Sequence, residues 1–247
     1  MPTLPPLSRA SAFLGAHNAY ERCTRGVVIH GYACAFHQQY YCDALFDEYG
    51  VAAPASVMAA VEKRRSEFLV GRLCARHALA AVGCDVVHVA VAADRSPQWP
   101  VGVRASLSHA AGRAVCIATV DASVAGLGVD VEGRLTRVAA AEVRDQVLAP
   151  QEVHRIASEF SDPDLGLVLA FSAKESIFKA LYAHVGAFFG FDAVELTCCL
   201  PGEFEFVVCD RLSPSVRAGM RIRVGYDITP TQVETWVCVL WSDLELS

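Results

Sequence analysis

Residues 128–132 read Gly-Val-Asp-Val-Glu, and residues 171–181 read Phe-Ser-Ala-Lys-Glu-Ser-Ile-Phe-Lys-Ala-Leu. The first stretch closes an apolar run and predicts a β-strand over 126–132, whereas the second lies inside a helix predicted over 165–183. Successive side chains of a strand point to opposite faces, so Asp130 and Glu132 are expected side by side on one face. This half of the chain is therefore expected to pair an acidic strand end with a long helix.

The residue types in these two segments suit phosphoryl-transfer chemistry. Neighbouring carboxylates repel each other, and a divalent cation bound by oxygen ligands, Mg²⁺ or Mn²⁺ rather than zinc, removes that cost. On the helix, Glu175 and Lys179 share a face, so a carboxylate could hold metal or take a proton while a lysine neutralises a departing phosphate. Taken singly, each motif also fits ordinary exposed charges at a strand end or on a helix surface.

Helices and strands follow one another in blocks along the chain, which predicts an α+β fold. One long helix is expected from a cap at Ser56 to Val82, and two shorter helices are expected over 142–148 and 151–160. The remaining strands are predicted at 86–92, 104–107, 113–120, 193–198, 203–208, 221–226 and 234–241. Residues 1 to about 55 lack a clear period, and we expect loops there, a short strand at 26–30 and little catalytic content.

Two segments of the first half carry groups that bind phosphate. Residues 63–72 place Arg64 and Arg72 close together around a helix, and guanidinium groups grip phosphate oxygens with paired N–H donors. Residues 105–110 set Ser108 and His109 at a predicted strand end. The alternatives are a solvated helix face and a capped turn.

Composition excludes several classes of protein. The 247 residues carry a net charge of −6, which argues against binding nucleic acid because that requires a basic surface. The ten cysteines form no Cys-x-x-Cys pair, so reduced thiols are expected rather than a zinc site. No signal peptide and no apolar run of about 18 residues is evident, which predicts a soluble, cytoplasmic protein.

The four motifs together resemble the surfactin-synthetase-activating class of 4'-phosphopantetheinyl transferases, especially the branch that activates enterobactin synthase. The matching segments are 63–72, 99–109, 128–132 and 171–180. The resemblance implies a monomer with two pseudosymmetric halves, each with a long helix packed on a small antiparallel sheet. Residues 1–124 would carry the helix and strands that bind the coenzyme A 3'-phosphate, and 125–247 the metal-binding strand and catalytic helix.

The resemblance also implies an activity: transfer of 4'-phosphopantetheine from coenzyme A to a serine of an apo acyl or peptidyl carrier protein, which releases 3',5'-ADP. The implied cofactor is Mg²⁺, with Mn²⁺ as the alternative. The implied roles are metal binding by Asp130, Glu132 and Glu175, catalysis by Glu175 and Lys179, and coenzyme A binding by Arg64, Arg72, Ser108, His109 and Lys174. The sequence departs from the family pattern at Ala105, where glycine is common, and offers only Arg95 as the basic residue before Trp99-Pro100.

Several alternatives stay open at the level of sequence. The same carboxylates could serve a pyrophosphatase or a nucleotidyl transferase, and the pocket could belong to a coenzyme A-binding module without activity. Fatty-acid, polyketide, siderophore and other nonribosomal carriers are all open. The Phe-Phe-Gly-Phe stretch at 188–191 could contact a carrier protein or pack in the core.

Overall fold

The computed structural model describes residues 12–86 and 88–245, with only the backbone of residue 245. Two larger antiparallel sheets, one two-stranded antiparallel sheet and several helices make up this part of the chain, which confirms the predicted α+β fold. The strands are β1 (Leu14–Thr24), β2 (Val27–Phe36), β3 (Ala90–Val91), β4 (Pro97–Gln98), β5 (Arg104–Ala110), β6 (Arg113–Thr119), β7 (Val124–Gly133), β8 (Val194–Leu200), β9 (Glu203–Val208), β10 (Arg221–Ile228) and β11 (Gln232–Leu240).

The helices differ widely in length. They are α1 (Leu45–Glu48), α2 (Ala55–Met58), α3 (Glu62–Ala81), α4 (Arg137–Val147), α5 (Pro150–Glu159), α6 (Pro163–Val185) and α7 (Trp241–Glu245). The α6 helix is capped at both ends. The Asp162 side chain accepts a hydrogen bond from Leu165 N at the N-terminus, and Gly186 ends the helix in the left-handed conformation with φ 71°. None of the helices in the described residues has the length and apolar character that a membrane crossing requires.

Each long helix packs on one sheet. The four-stranded sheet, in the order β1-β2-β6-β5, shares a core with α3 that includes Leu69, Cys74 and Cys116. The five-stranded sheet, in the order β7-β11-β10-β9-β8, shares a core with α6 that includes Ile177 and Phe204. The predicted boundary at 124/125 falls where β7 begins and stays a prediction.

A third apolar cluster lies between the two sheets. Strand alternation sends Val115 and Ile117 of β6 toward Val129 of β7, while their neighbours face α3. Beside this cluster the buried carboxylate of Glu234 accepts hydrogen bonds from Tyr20 Oη at 2.9 Å and from Arg22 at 2.7 Å. The first hairpin thus fastens the second sheet to the first.

Three predictions about the first half are wrong. Residues 14–36, expected to be mostly loop, form the long β1–β2 hairpin, which turns at Arg25 and Gly26 with φ values of 54° and 80°. The helix expected from Ser56 is broken: α2 ends at Met58 and α3 begins at Glu62. Of the strand expected over 86–92, residue 87 lies outside the described residues, and among the others only Ala90 and Val91 belong to a strand, β3. All ten cysteines are free thiols, as expected.

Candidate active site

The close approach of α6 to β7 builds the centre of the site. A Cβ atom on Gly126 or Gly128 would lie 2.1 or 1.8 Å from the carbonyl oxygens of Ala180 and Ser176. Only glycine therefore lets the helix backbone lie directly on the strand. Asp130 follows on the same strand face two residues later, so it meets the helix as well.

Asp130 is buried where β7 of the five-stranded sheet meets β5 of the four-stranded sheet. Its Oδ1 atom accepts a hydrogen bond from Lys179 Nζ at 2.7 Å and another from Ser108 Oγ at 2.7 Å. Its Oδ2 atom is buried and has no hydrogen-bond partner in the described part of the chain. Lys179 Nζ also donates to the Val129 carbonyl at 3.0 Å, so two of its three N–H donors are used by these groups.

The acidic side chains around Asp130 are destabilised as anions. Burial, and then repulsion from Asp130, raise the pKa of Glu132 to about 7. Burial also raises the pKa of Glu175, Lys179 opposes that shift, and Asp130 adds to it. The three carboxylates are thus close enough to influence one another, and a positive charge among them would relieve the repulsion.

The residues present fit a divalent cation in their chemistry. The buried, unpartnered Oδ2 of Asp130 is a free oxygen ligand, and burial, with a smaller contribution from the Asp130 charge, raises the pKa values of Glu132 and Glu175. As placed, no three His, Cys, Asp or Glu side chains of the described residues surround a common point closely enough to hold a metal ion. A metal ion held by all three carboxylates would therefore need their oxygen atoms to move closer together.

A cationic cavity of about 460 Å³ opens on the other side of β5. Its charged and polar lining includes Arg64, Arg72 and Arg95, His109 and one acidic residue, Glu67. The cations outnumber the anion, so the cavity is suited to a ligand with several negative charges.

Two of the cavity residues, Arg72 and His109, hold buried nitrogen atoms, Nε and Nδ1, that have no hydrogen-bond partner in the described part of the chain. Arg72 Nε is buried and unpartnered among the described residues, and burial followed by Arg64 lowers the Arg72 pKa. Arg64 Nη1 lies 3.1 Å from His109 Nε2. Burial, and then Arg64, lower the pKa of His109 to about 4, so the ring is neutral at pH 7 and Nε2 can accept that hydrogen bond.

Two family models match this chain across the elements that form the site. Residues 53–119 match the 4'-phosphopantetheinyl transferase N-terminal domain, and residues 126–220 match the 4'-phosphopantetheinyl transferase superfamily, which together cover about two thirds of the chain. The chain belongs to the 4'-phosphopantetheinyl transferase superfamily, a family of enzymes.

Named relatives of this chain agree with the family match. Enterobactin synthase component D of Salmonella typhi is 35% identical over 139 residues, which are 56% of this chain and 57% of the relative. The Escherichia coli O157:H7 protein of that name is 38% identical over 126 residues, 51% of this chain and 59% of the relative. The 4'-phosphopantetheinyl transferase Svp of Streptomyces mobaraensis is 38% identical over 149 residues, 58% of each. The chain thus spans less than two thirds of the length of these curated relatives.

The structure divides the predicted site residues into two groups and one residue that belongs to neither. Asp130, Glu132, Glu175 and Lys179 lie where β7 meets α6, and Arg64, Arg72 and His109 line the cationic cavity. Ser108 lies with the first group, because its hydroxyl bonds Asp130. The family resemblance instead implies that Ser108 contacts a coenzyme A phosphate next to His109.

Lys174 is the outlier, because it lies within the protein core. Its ammonium donates to Val147 O at 2.9 Å, Glu152 Oε2 at 2.8 Å and Phe191 O at 3.0 Å. These contacts use all three N–H donors and leave none for coenzyme A. A phosphate contact by Lys174 stays a prediction, and in this conformation the residue instead ties α6 to α4, α5 and the 188–191 segment.

Sequence reasoning missed a buried hydroxyl cluster that sets α6 on its sheet. Thr235 Oγ1, on β11 opposite Asp130, lies 3.0 Å from Ser172 Oγ and 2.7 Å from Ser176 Oγ. Ser172 and Ser176 are one helical turn apart and stand on either side of Glu175, so small polar residues at that spacing were an available signal.

The aromatic segment at 188–191 is partly packed in the core and partly exposed on the surface. Phe191 packs against Phe171, with ring centroids 5.5 Å apart, whereas Phe188 is 83% exposed. A small cavity of about 70 Å³ lies between this segment, Phe178 and Glu175. The apolar surface of the 188–191 segment therefore borders Glu175, the candidate general base.

Proposed function

We propose that this protein transfers 4'-phosphopantetheine from coenzyme A to a serine of an apo carrier protein and releases 3',5'-ADP. One observation carries the proposal: β7 and α6 place a cluster of carboxylates and a lysine on one side of β5, and a cationic cavity lies on its other side, within a chain of this family. A substrate with a charged nucleotide end and a reactive pyrophosphate would reach both sites at once.

The cavity would bind the nucleotide end of coenzyme A. We assign the 3'-phosphate to Arg64 and Arg72, because both guanidinium groups face the cavity and Arg72 Nε has no protein partner in the described residues. Neutral His109 would donate or accept a hydrogen bond there. Arg95 lines the same cavity and would add a further positive charge. These contacts lie away from the bond that breaks and would supply binding energy for positioning.

Glu175 would accept the proton of the carrier serine. The serine hydroxyl is a weak nucleophile, and it attacks the β-phosphorus of coenzyme A as the bond from that phosphorus to the bridging oxygen breaks. A carboxylate with a raised pKa accepts a proton more readily near neutral pH, which suits Glu175 to this role. The proton lost by the serine thus ends on the Glu175 carboxylate.

Lys179 would stabilise the departing 3',5'-ADP. Its ammonium is held by Val129 O and Asp130 Oδ1, and a third N–H remains for a phosphate oxygen. A fixed ammonium beside a developing negative charge lowers the barrier without reorganisation.

Asp130, Glu132 and Glu175 would hold Mg²⁺, with Mn²⁺ as the alternative. A bound divalent ion supplies charge neutralisation to the pyrophosphate, which a carboxylate base would otherwise repel. Among the protein's own groups, Asp130 is the fixed member of the set because Ser108 and Lys179 orient it.

The test is to incubate the purified protein with coenzyme A, Mg²⁺ and a panel of apo carrier proteins, and to record intact carrier masses. Because several relatives are named enterobactin synthase component D, siderophore carrier domains come first in the panel, followed by other nonribosomal, polyketide and fatty-acid carriers. We expect one phosphopantetheine per carrier, and none without Mg²⁺ or with Asp130→Ala. Cleavage of coenzyme A without carrier would indicate a hydrolase, and tight coenzyme A binding without transfer a binding module.

A further inference from the structure

The two faces of β5 serve different parts of the site. Side chains of a strand alternate, so Leu107 and His109 face α3 and the cationic cavity, whereas Ser106 and Ser108 face β7. Ser108 is 7% exposed. A phosphate held by His109 in the cavity would therefore lie on the opposite side of the strand from the Ser108 hydroxyl.

The two serines hold consecutive residues of β7. Ser106 Oγ accepts a hydrogen bond from Val129 N at 3.0 Å, and Ser108 Oγ donates to Asp130 Oδ1 at 2.7 Å. Because β7 is an edge strand of its sheet, the Val129 N–H has no strand partner on this side. Ser106 thus satisfies the backbone, while Ser108 acts on the carboxylate.

We propose that Ser108 is a positioning residue for Asp130 and does not contact the coenzyme A phosphate. The inference rests on the proposed function, in which Asp130 binds the metal. Two donors, Ser108 and Lys179, converge on Oδ1 and fix the rotation of the carboxylate, so that Oδ2 is left as the ligand atom. Removal of a group that orients a metal ligand in this way typically weakens metal binding by about ten- to a hundredfold.

Ser108 and Lys179 contribute differently to the orientation of the Asp130 carboxylate. Lys179 also has to interact with the leaving group, and any movement of its ammonium toward a phosphate would weaken its hold on Asp130. Ser108 is anchored on a different strand and carries no charge, so it can keep Asp130 oriented without reducing the negative charge that attracts the cation. The arrangement also connects the two halves of the protein at the metal site.

The test measures Mn²⁺ affinity from the EPR signal of free Mn²⁺, with saturating coenzyme A and again with saturating 3'-dephospho-coenzyme A. We expect Ser108→Ala to bind Mn²⁺ about tenfold more weakly, by the same factor with either nucleotide. Ser106→Ala is the matched control, because it removes a hydrogen bond to β7 but none to Asp130, and its Mn²⁺ affinity should stay within about twofold of the original protein. Both variants are checked by thermal melting.

A second pair of variants separates the hydroxyl from packing. Threonine and valine have nearly the same shape, so Ser108→Thr should bind Mn²⁺ more tightly than Ser108→Val, whatever the added methyl group costs. A weaker Mn²⁺ affinity of Ser108→Ala with coenzyme A only would assign the serine to the 3'-phosphate and overturn the proposal, as would equal affinities of the threonine and valine variants. If the unsubstituted protein bound no Mn²⁺ with coenzyme A, the proposed metal-dependent function would fall together with this inference; unchanged binding in Ser108→Ala would remove this inference alone.

Discussion

The cavity beside α3 and the carboxylate cluster between β7 and α6 carry opposite charges, and neither is fully neutralised by its surroundings. In the cavity, burial and Arg64 lower the pKa of Arg72, and one acid, Glu67, faces three arginines. In the cluster, burial and mutual repulsion raise the pKa of Glu132. Each shift means that the folded protein disfavours the charged form that its ligand requires.

The comparison indicates which charged groups would contribute to the free energy of ligand binding. A cavity with excess positive charge and a cluster with excess negative charge are each incomplete, and a single ligand with phosphates and an accompanying cation would complete both. Lys174 on the same helix differs from both, since its charge is fully paired with Glu152 and two carbonyls. Substitutions should therefore separate unpaired functional charges from paired structural ones.

The largest effect is expected at Glu175. Glu175→Gln should lower the rate of carrier modification about a thousandfold, because an amide cannot accept the serine proton. Its melting temperature should stay the same or rise by a few degrees, because burial disfavours the ionised carboxylate that is removed. Mass spectrometry of the carrier gives the rate and a thermal melt gives the stability.

Glu159→Gln is the control for this substitution, because Glu159 is exposed on α5, away from the site. A Glu175→Gln variant that kept more than about a tenth of the activity would assign the base elsewhere.

The second prediction concerns the paired charge. Lys174→Met should destabilise the protein by about 3–5 kcal/mol, because it leaves the Glu152 carboxylate buried without its cation. Chemical denaturation measures the change, and Lys63→Met, at a lysine whose side chain is 70% exposed, is the control. If Lys174→Met unfolded like the original protein but bound coenzyme A weakly, Lys174 would be a phosphate contact after all.

The acidic centre of the site could be predicted from sequence because its signals are local. Asp130 and Glu132 end an apolar strand, and Glu175 and Lys179 share one helix face. The alternation of side chains along a strand and the four-residue spacing along a helix were therefore enough to predict that the members of each pair lie side by side. The glycines at 126 and 128 explain why strand and helix approach so closely. The alternation of β5 was also readable, and it would have separated Ser108 from His109.

The remaining features depend on partners distant in sequence. The β1–β2 hairpin is stabilised by pairing β2 with β6, where His30 lies opposite Ala118, and its turn has Arg25 at a positive φ where Asn or Gly would have been the usual signal. The burial of Lys174 likewise depends on Glu152, on another helix. Local patterns contain no information about either contact.

The third prediction tests the cationic cavity. Arg72→Lys should weaken coenzyme A binding by roughly 1.5–3 kcal/mol, because an ammonium cannot form the paired contacts of a guanidinium with a phosphate. The weakening should largely disappear with 3'-dephospho-coenzyme A, and calorimetric titration measures both ligands. Arg76→Lys is the control, since Arg76 lies one turn further along α3 and donates to Tyr49 O. Equal weakening for both ligands would place Arg72 on another part of coenzyme A.

The smallest effect is expected at His109, and it depends on pH. Burial and Arg64 lower the pKa of His109 to about 4, whereas the unfolded imidazole titrates near 6.5. The unfolded chain therefore binds more protons between these values, so this residue makes the free energy of unfolding fall as the pH drops from 6.5. His109→Gln should lose less stability than the original protein between pH 6.5 and 5.5, by about 1 kcal/mol. Denaturation at the two pH values measures the difference, and identical losses would mean that His109 takes up protons as readily in the folded protein as in the unfolded chain.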